Sequence, residues 1–132
     1  MVYRLPRTRA VLILWALAVA FVVVGSLLPG PVLTRIHFSA VAPNDKVVHF
    51  VGYTVLALFP VAFLELLGMG LALAASMVPM GILLEFLQKL VPGRSFEIGD
   101  MLANSFGVAT GIVLAMWLRT ILKRIVIAIE RG

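Results

Sequence analysis

Four apolar runs, each about as long as a bilayer is thick, dominate this chain and restrict what it can become. They cover roughly Ala10–Leu28, Val47–Leu67, Leu71–Val91 and Met101–Leu122. A helix of about 20 apolar residues spans the hydrocarbon core of a membrane, whereas helices in soluble cores are usually shorter. The reading is therefore an all-α, polytopic membrane protein, a four-transmembrane-helix bundle. Composition agrees. The 132 residues are 62% hydrophobic and 13% charged, against roughly 25% charged in an average soluble domain, and the mean hydropathy is +1.12. The spans consume most of the sequence, so residues 1–132 read as a single transmembrane domain.

There is no cysteine, which removes disulfides, thiolate metal ligands and a cysteine nucleophile from consideration. A sequence pI near 10.5 invites a nucleic-acid reading. The bases instead flank the apolar runs, where they set topology, so no nucleic-acid partner is expected. The first run follows Arg4, Arg7 and Arg9. It exceeds the roughly 7–15 residues of a signal-peptide core, and no small-x-small cleavage site follows it. It stops at Ser26-Leu27-Leu28-Pro29-Gly30-Pro31, so it reads as an uncleaved first transmembrane helix.

Charge bias then orients the bundle. Arg4, Arg7, Arg9, Arg119, Lys123, Arg124 and Arg131 fall on one side, and Arg35, Lys46, Lys89 and Arg94 on the other. The excess places both termini of this multi-pass protein in the cytoplasm. The short Gly68-Met69-Gly70 segment reads as a tight link between the second and third spans. The segment from Arg119 to Gly132 alternates basic and branched apolar residues, and it can continue the fourth helix along the cytoplasmic interface, where its bases would meet anionic lipid.

The same topology gathers the polar residues at one end. Asp45, Lys46 and His49 open the second span and share a helical face with Gly52 and Tyr53. Gly52 on that face would admit another backbone or a ligand. Glu85 and Gln88 share a face near the end of the third span, Glu85 roughly 10 Å below Pro92. Arg94 lies in the following loop, and Asp100 and Asn104 start the fourth span. Ala103, Gly107, Gly111 and Ala115 recur every fourth residue beside them, a spacing that lets membrane helices approach closely.

These residues carry a family likeness. Asp45-Lys46-x-x-His49-Phe50, Glu85-x-x-Gln88 and Arg94-x5-Asp100-x-x-Ala103-Asn104-x-x-Gly107 resemble the pattern of VanZ-like membrane proteins over about residues 43–111. That family is named for a member found with glycopeptide-resistance genes and associated with low-level teicoplanin resistance. The resemblance implies a bacterial cell-envelope protein without implying a defined reaction.

Each polar residue also has a structural reading. Asn44 or Asp45 can cap the second span, and Asp100 the fourth. Lys46 can snorkel to headgroups. His49 can be a hydrogen-bonded core histidine, Glu85 a partner of His49 or Arg94, and Gln88 and Asn104 interhelical glue. Arg94 can meet headgroups. Glu65 and His37 are read as structural only, and Pro79 as a bend in the third span.

Taken as a site, Asp45, Lys46, His49, Glu85, Gln88, Arg94, Asp100 and Asn104 suit recognition of an anionic membrane lipid or a lipid-linked envelope intermediate. Arg94 and Lys46 would take the phosphate. The alternative is an intramembrane enzyme with His49, Glu85 and Asp100 as candidate acid–base groups. No H-E-x-x-H signature is present, no metal ligands are assigned and no cofactor is expected, although one histidine with three carboxylates can hold a divalent ion such as Mg²⁺ or Mn²⁺. A third reading is a structural or partner-binding membrane protein. A homodimer that completes the site is compatible with so small a bundle.

Overall fold

The computed structural model describes residues 4–36 and 44–131. His37, read from sequence as structural, lies outside them. The described residues form five helices: α1 (Arg4–Ser26), α2 (Gly30–Arg35), α3 (Asp45–Phe63), α4 (Leu67–Gln88) and α5 (Ile98–Arg131). An all-α architecture agrees with the sequence, but the expected four spans do not survive.

Among the described residues three helices are long and apolar enough to cross a membrane: Thr8–Ser26, Asp45–Phe63 and Leu67–Gln88. The expected fourth span, 101–122, is the middle of α5, a 34-residue helix. At 1.5 Å per residue α5 is roughly 51 Å long, well beyond a hydrocarbon core of about 30 Å. It carries Asp100 and Asn104 near one end and continues through Arg119, Lys123, Arg124 and Glu130 at the other. The inference that both termini share the cytoplasmic side required an even number of spans, and it falls with the fourth.

Two smaller boundaries also move. The Pro29-Gly30-Pro31 stop ends α1 at Ser26 and then opens the short α2, with Pro31 in its first turn. That is a position where a missing N–H costs nothing. The link between α3 and α4 is Leu64–Leu66 rather than Gly68–Gly70, because α4 already begins at Leu67. A side chain at Gly70 would collide with the Pro60 carbonyl, so this glycine serves the close approach of α4 to the end of α3.

Packing centres on α3 and α5, which run parallel. The small-residue stripe does what its spacing implies. A Cβ on Gly107 would stand 2.5 Å from the Phe50 carbonyl oxygen, and one on Gly111 would meet the Thr54 carbonyl oxygen still more closely. Ala115 on the same stripe is fully buried. Helix α4 turns Gly70, Ala74, Met77, Gly81, Leu84, Glu85 and Gln88 inward, a stripe at helical spacing. Helix α1 lies at the periphery, with Trp15, Ala18, Val19 and Val22 against the core. Outward faces are greasy, with Phe21 80%, Phe106 65% and Trp117 65% exposed, as befits contact with lipid rather than water.

Trp15 repairs a defect in α3. Pro60 has no N–H and so leaves the carbonyl four residues earlier, that of Leu56, without its helical donor. The Trp15 indole Nε1 donates to that carbonyl oxygen at 2.9 Å. A lipid-embedded helix has no water to do the same.

Candidate functional site

The starts of α3 and α5, the end of α4 and the 89–97 loop meet at one end of the bundle. Asn44 caps α3. Its backbone is extended, and its side chain accepts from the Lys46 N–H at 3.1 Å. Asp45 is thereby free of the capping role, and its carboxylate, about half exposed, turns toward His49.

Lys46 reaches across to α5. Its Nζ donates to Glu97 Oε2 at 2.6 Å and to Asp100 Oδ1 at 3.3 Å. Gly99 leaves room for its stem, since a Cβ there would lie 2.6 Å from Lys46 Cε. This lysine is already neutralised by protein carboxylates. Glu97, outside the spans, is held below its usual carboxylate range chiefly by the hydrogen bond from Lys46 and then by that ammonium's charge.

His49 is the hinge of the cluster. Its Nδ1 faces Asn104 Oδ1 at 2.9 Å. An amide oxygen only accepts, so Nδ1 is the donor in this bond and Nε2 is the nitrogen turned toward the acids. That Nε2 sits 3.9 Å from Asp45 Oδ1 and 3.8 Å from Asp100 Oδ2. One ligand atom from each of Asp45, His49 and Asp100 lies within 4.8 Å of the others. The donor set, two carboxylate oxygens and one imidazole nitrogen, suits a divalent cation. Asn104 supplies the outer hydrogen bond that fixes a ligating histidine. The divalent-ion expectation therefore has a geometric counterpart, although Lys46 already claims the other oxygen of Asp100.

Glu85 is buried at 1% exposure. Its Oε2 accepts from the Glu97 backbone N–H at 3.3 Å, while its buried Oε1 has no hydrogen-bond partner among the described residues. Neither His49 nor Arg94 bonds to it, although both lie within its electrostatic reach. Arg94 is half-buried in the loop, and among the described residues its guanidinium makes no hydrogen bond or ion pair. Beside it Lys89 stacks on Phe96 and Phe86, with Nζ 4.3 Å and 5.1 Å from the ring centroids.

Of the eight residues read from sequence, Asp45, Lys46, His49, Asp100 and Asn104 form one connected cluster, and Glu85 joins it through Glu97. Gln88 does not join. Its Nε2 donates to the Ser26 carbonyl oxygen at 3.0 Å, tying α4 to the end of α1. Gly52 receives no protein neighbour, since nothing lies within 4 Å of a Cβ placed there. Sequence reasoning passed over Glu97 as a site residue, although an acid three residues before Asp100 is a signal at a helix start. Arg119, read as a topology charge, instead caps the far end of α3. It donates to the carbonyl oxygens of Val61 at 2.8 Å, Leu64 at 2.6 Å and Glu65 at 3.3 Å.

The family model for VanZ/LLP1 proteins matches residues 10–119. The chain belongs to the VanZ/LLP1 family. The match takes in the whole polar cluster, from Asp45 to Asn104, together with the Arg119 cap. No curated protein and no solved structure matches the chain. Family membership and the lipid-facing apolar helices make this VanZ/LLP1 chain a membrane protein, and its buried acid–histidine cluster gives it a polar site.

Proposed function

We propose that this protein binds the headgroup of a phosphate-bearing cell-envelope lipid at the polar end of its bundle, within a bacterial cytoplasmic membrane. One observation carries the reading. Among the described residues Glu85 Oε1 is a buried carboxylate oxygen without a donor, its other oxygen bonds to the loop that carries Arg94, and the Arg94 guanidinium has no hydrogen-bond acceptor. An unmade hydrogen bond at a buried acceptor costs about 1–3 kcal/mol, so a ligand offering the complementary groups gains from both.

Such a ligand carries a phosphate for Arg94, which can grip two oxygens at once, and a hydroxyl or ammonium for Glu85. Lys46 is occupied by Glu97 and Asp100, so the phosphate contact falls to Arg94. The His49–Asn104 pair and the Lys46 ion pairs hold the floor of the site in place. Lipid-facing helices around it supply the surface for acyl chains. A protein that shields or moves an envelope lipid in this way would alter access of glycopeptides such as teicoplanin to the cell surface.

Thermal unfolding of the detergent-purified protein tests the reading. Phosphatidylglycerol should raise the midpoint, and a diacylglycerol with the same acyl chains should not, since only the former carries phosphate. At 100 times the dissociation constant, binding stabilises by about 2.7 kcal/mol. Arg94→Ala should abolish the difference. Equal stabilisation by both lipids would count against a phosphate site.

A second reading rests on the Asp45–His49–Asp100 triad. Held there, a divalent ion would polarise a phosphoryl oxygen and lower the pKa of bound water, making hydrolysis of a lipid-linked phosphate accessible. Full turnover by metal-free protein would exclude it.

A further inference from the structure

We infer that the last third of α5 is an amphipathic arm that docks on an anionic membrane surface, at the opposite end of the molecule from the polar cluster. Helix α5 keeps company with α3 only as far as Arg119, which caps α3 at Val61, Leu64 and Glu65. Residues 120–131 continue as helix past the end of that partner, for roughly 18 Å. Asp100 and Lys123 stand roughly 34 Å apart along the same helix, so the arm and the polar cluster are separate surfaces.

The arm sorts its residues. At 100° per residue, Ile121, Leu122, Ile125, Val126 and Ile129 fall within an arc of about 140°. Lys123, Arg124 and Glu130 fall on the other side, with Ile127 the one branched residue among them. Leu122 is 47% exposed, Ile125 50%, Val126 52% and Ile129 74%. Among the described residues these four side chains therefore lie largely uncovered, with Ile121 partly buried at the root. The segment carries Lys123, Arg124 and Arg131 against the single acid Glu130. At its root an open depression of about 200 Å³ lies between α3 and α5, lined by Phe63, Leu64, Arg119, Leu122 and Lys123 among others.

A strip of large apolar side chains flanked by bases is the pattern of a helix lying in the headgroup region. There the apolar face sinks toward the acyl chains and the bases meet anionic lipid. Charge complementarity selects the occupant. A second copy of this arm would bring like charges together, whereas an anionic leaflet neutralises Lys123 and Arg124. Arg119 is committed to the α3 carbonyls and stays out of the docking.

The chain contains no cysteine, so single-cysteine variants of the full-length protein report on the arm directly. Ile129→Cys marks the apolar strip and Ile127→Cys the polar side. Each is labelled with an environment-sensitive fluorophore. The protein is then reconstituted in vesicles of phosphatidylcholine alone or with one-third phosphatidylglycerol. At residue 129 the label should shift to the blue and resist an aqueous quencher in the anionic vesicles, and high salt should weaken this. At residue 127 it should remain quenchable. Adding Lys123→Gln and Arg124→Gln, both at exposed positions, should lower the ratio of docked to free arm by about thirtyfold while leaving the unfolding midpoint unchanged. Three results would overturn the inference: equal shielding of residue 129 in both vesicle types, no shielding in either, or shielding that grows only with protein density. The last would assign the strip to a second copy. None of these residues belongs to the polar cluster, so the lipid-headgroup reading stands or falls separately.

Discussion

His49 Nδ1 and Asn104 Oδ1 meet at 2.9 Å, joining α3 to α5 across 55 residues of sequence. This bond sets which nitrogen of His49 faces Asp45 and Asp100, so it orders the whole cluster. Replacing Asn104 with Leu removes the acceptor and leaves a buried N–H unpaired. The expected loss is about 1–3 kcal/mol, read as a lowered unfolding midpoint in detergent. Asn104→Asp keeps an acceptor oxygen and should lose less.

The parallel packing of α3 on α5 depends on two glycines. A side chain at Gly111 runs into the backbone carbonyl of Thr54, and backbone cannot step aside as a flexible side chain can. Gly111→Val should cost at least about 3 kcal/mol and abolish a monodisperse peak on size exclusion. Gly52 is the control, because a Cβ there meets nothing. Gly52→Ala should fold normally, with stability unchanged or raised by about 0.5–1 kcal/mol.

How much of this was legible beforehand follows from the range of each interaction. The apolar runs locate the ends of α3 and α4 to within four residues and those of α1 to within six, because composition along a window is local information. The burial of Asp100 and Asn104 follows from their place beside the small-residue stripe that packs against α3. The continuation of α5 past Arg119 follows from its alternating bases and branched apolar residues, since a helix tolerates lysine and arginine readily, whereas the apolar stretch 101–122 alone suggests a span that the 34-residue helix does not form. Partners far apart in sequence were out of reach. Nothing local to Lys46 announces Glu97, 51 residues away, and nothing local to Arg119 announces the Val61 carbonyl, 58 residues away. Trp15 likewise looked like one more apolar residue until the carbonyl freed by Pro60 appeared beside it.

That tryptophan makes its own prediction. Trp15→Phe keeps most of the apolar surface and deletes the indole donor, orphaning the Leu56 carbonyl within the bundle. The expected cost is about 1–3 kcal/mol. Pro60→Ala restores an N–H four residues after Leu56 and should recover much of that loss, provided the end of α3 keeps its shape. A double-mutant cycle on unfolding midpoints measures the coupling.

Acid should loosen the rim. Lys46 holds the Glu97 carboxyl below its usual range, so the folded state binds this proton less readily than the unfolded chain. The ion pair's contribution is therefore complete above the unfolded carboxylate value of about 4.3 and drains away as pH falls through the lower, folded value. Both partners are about half exposed, so the effect is small and salt-sensitive. Unfolding midpoints of wild type and Glu97→Gln, compared between neutral pH and pH 3, should converge at the acidic end.

On the proposed reading, Glu85 and Arg94 receive a phosphate-bearing lipid. Native mass spectrometry of the detergent-purified protein, with co-purifying lipids identified, tests it most directly beside Arg94→Ala and Glu85→Gln. A phosphate-bearing lipid should be enriched on the wild type, and Arg94→Ala should lose it while remaining folded. Glu85→Gln should weaken its retention or change which headgroup is kept. If the wild type carries no enriched lipid, or if the same lipid survives in both variants, the polar end is a folding network rather than a headgroup site.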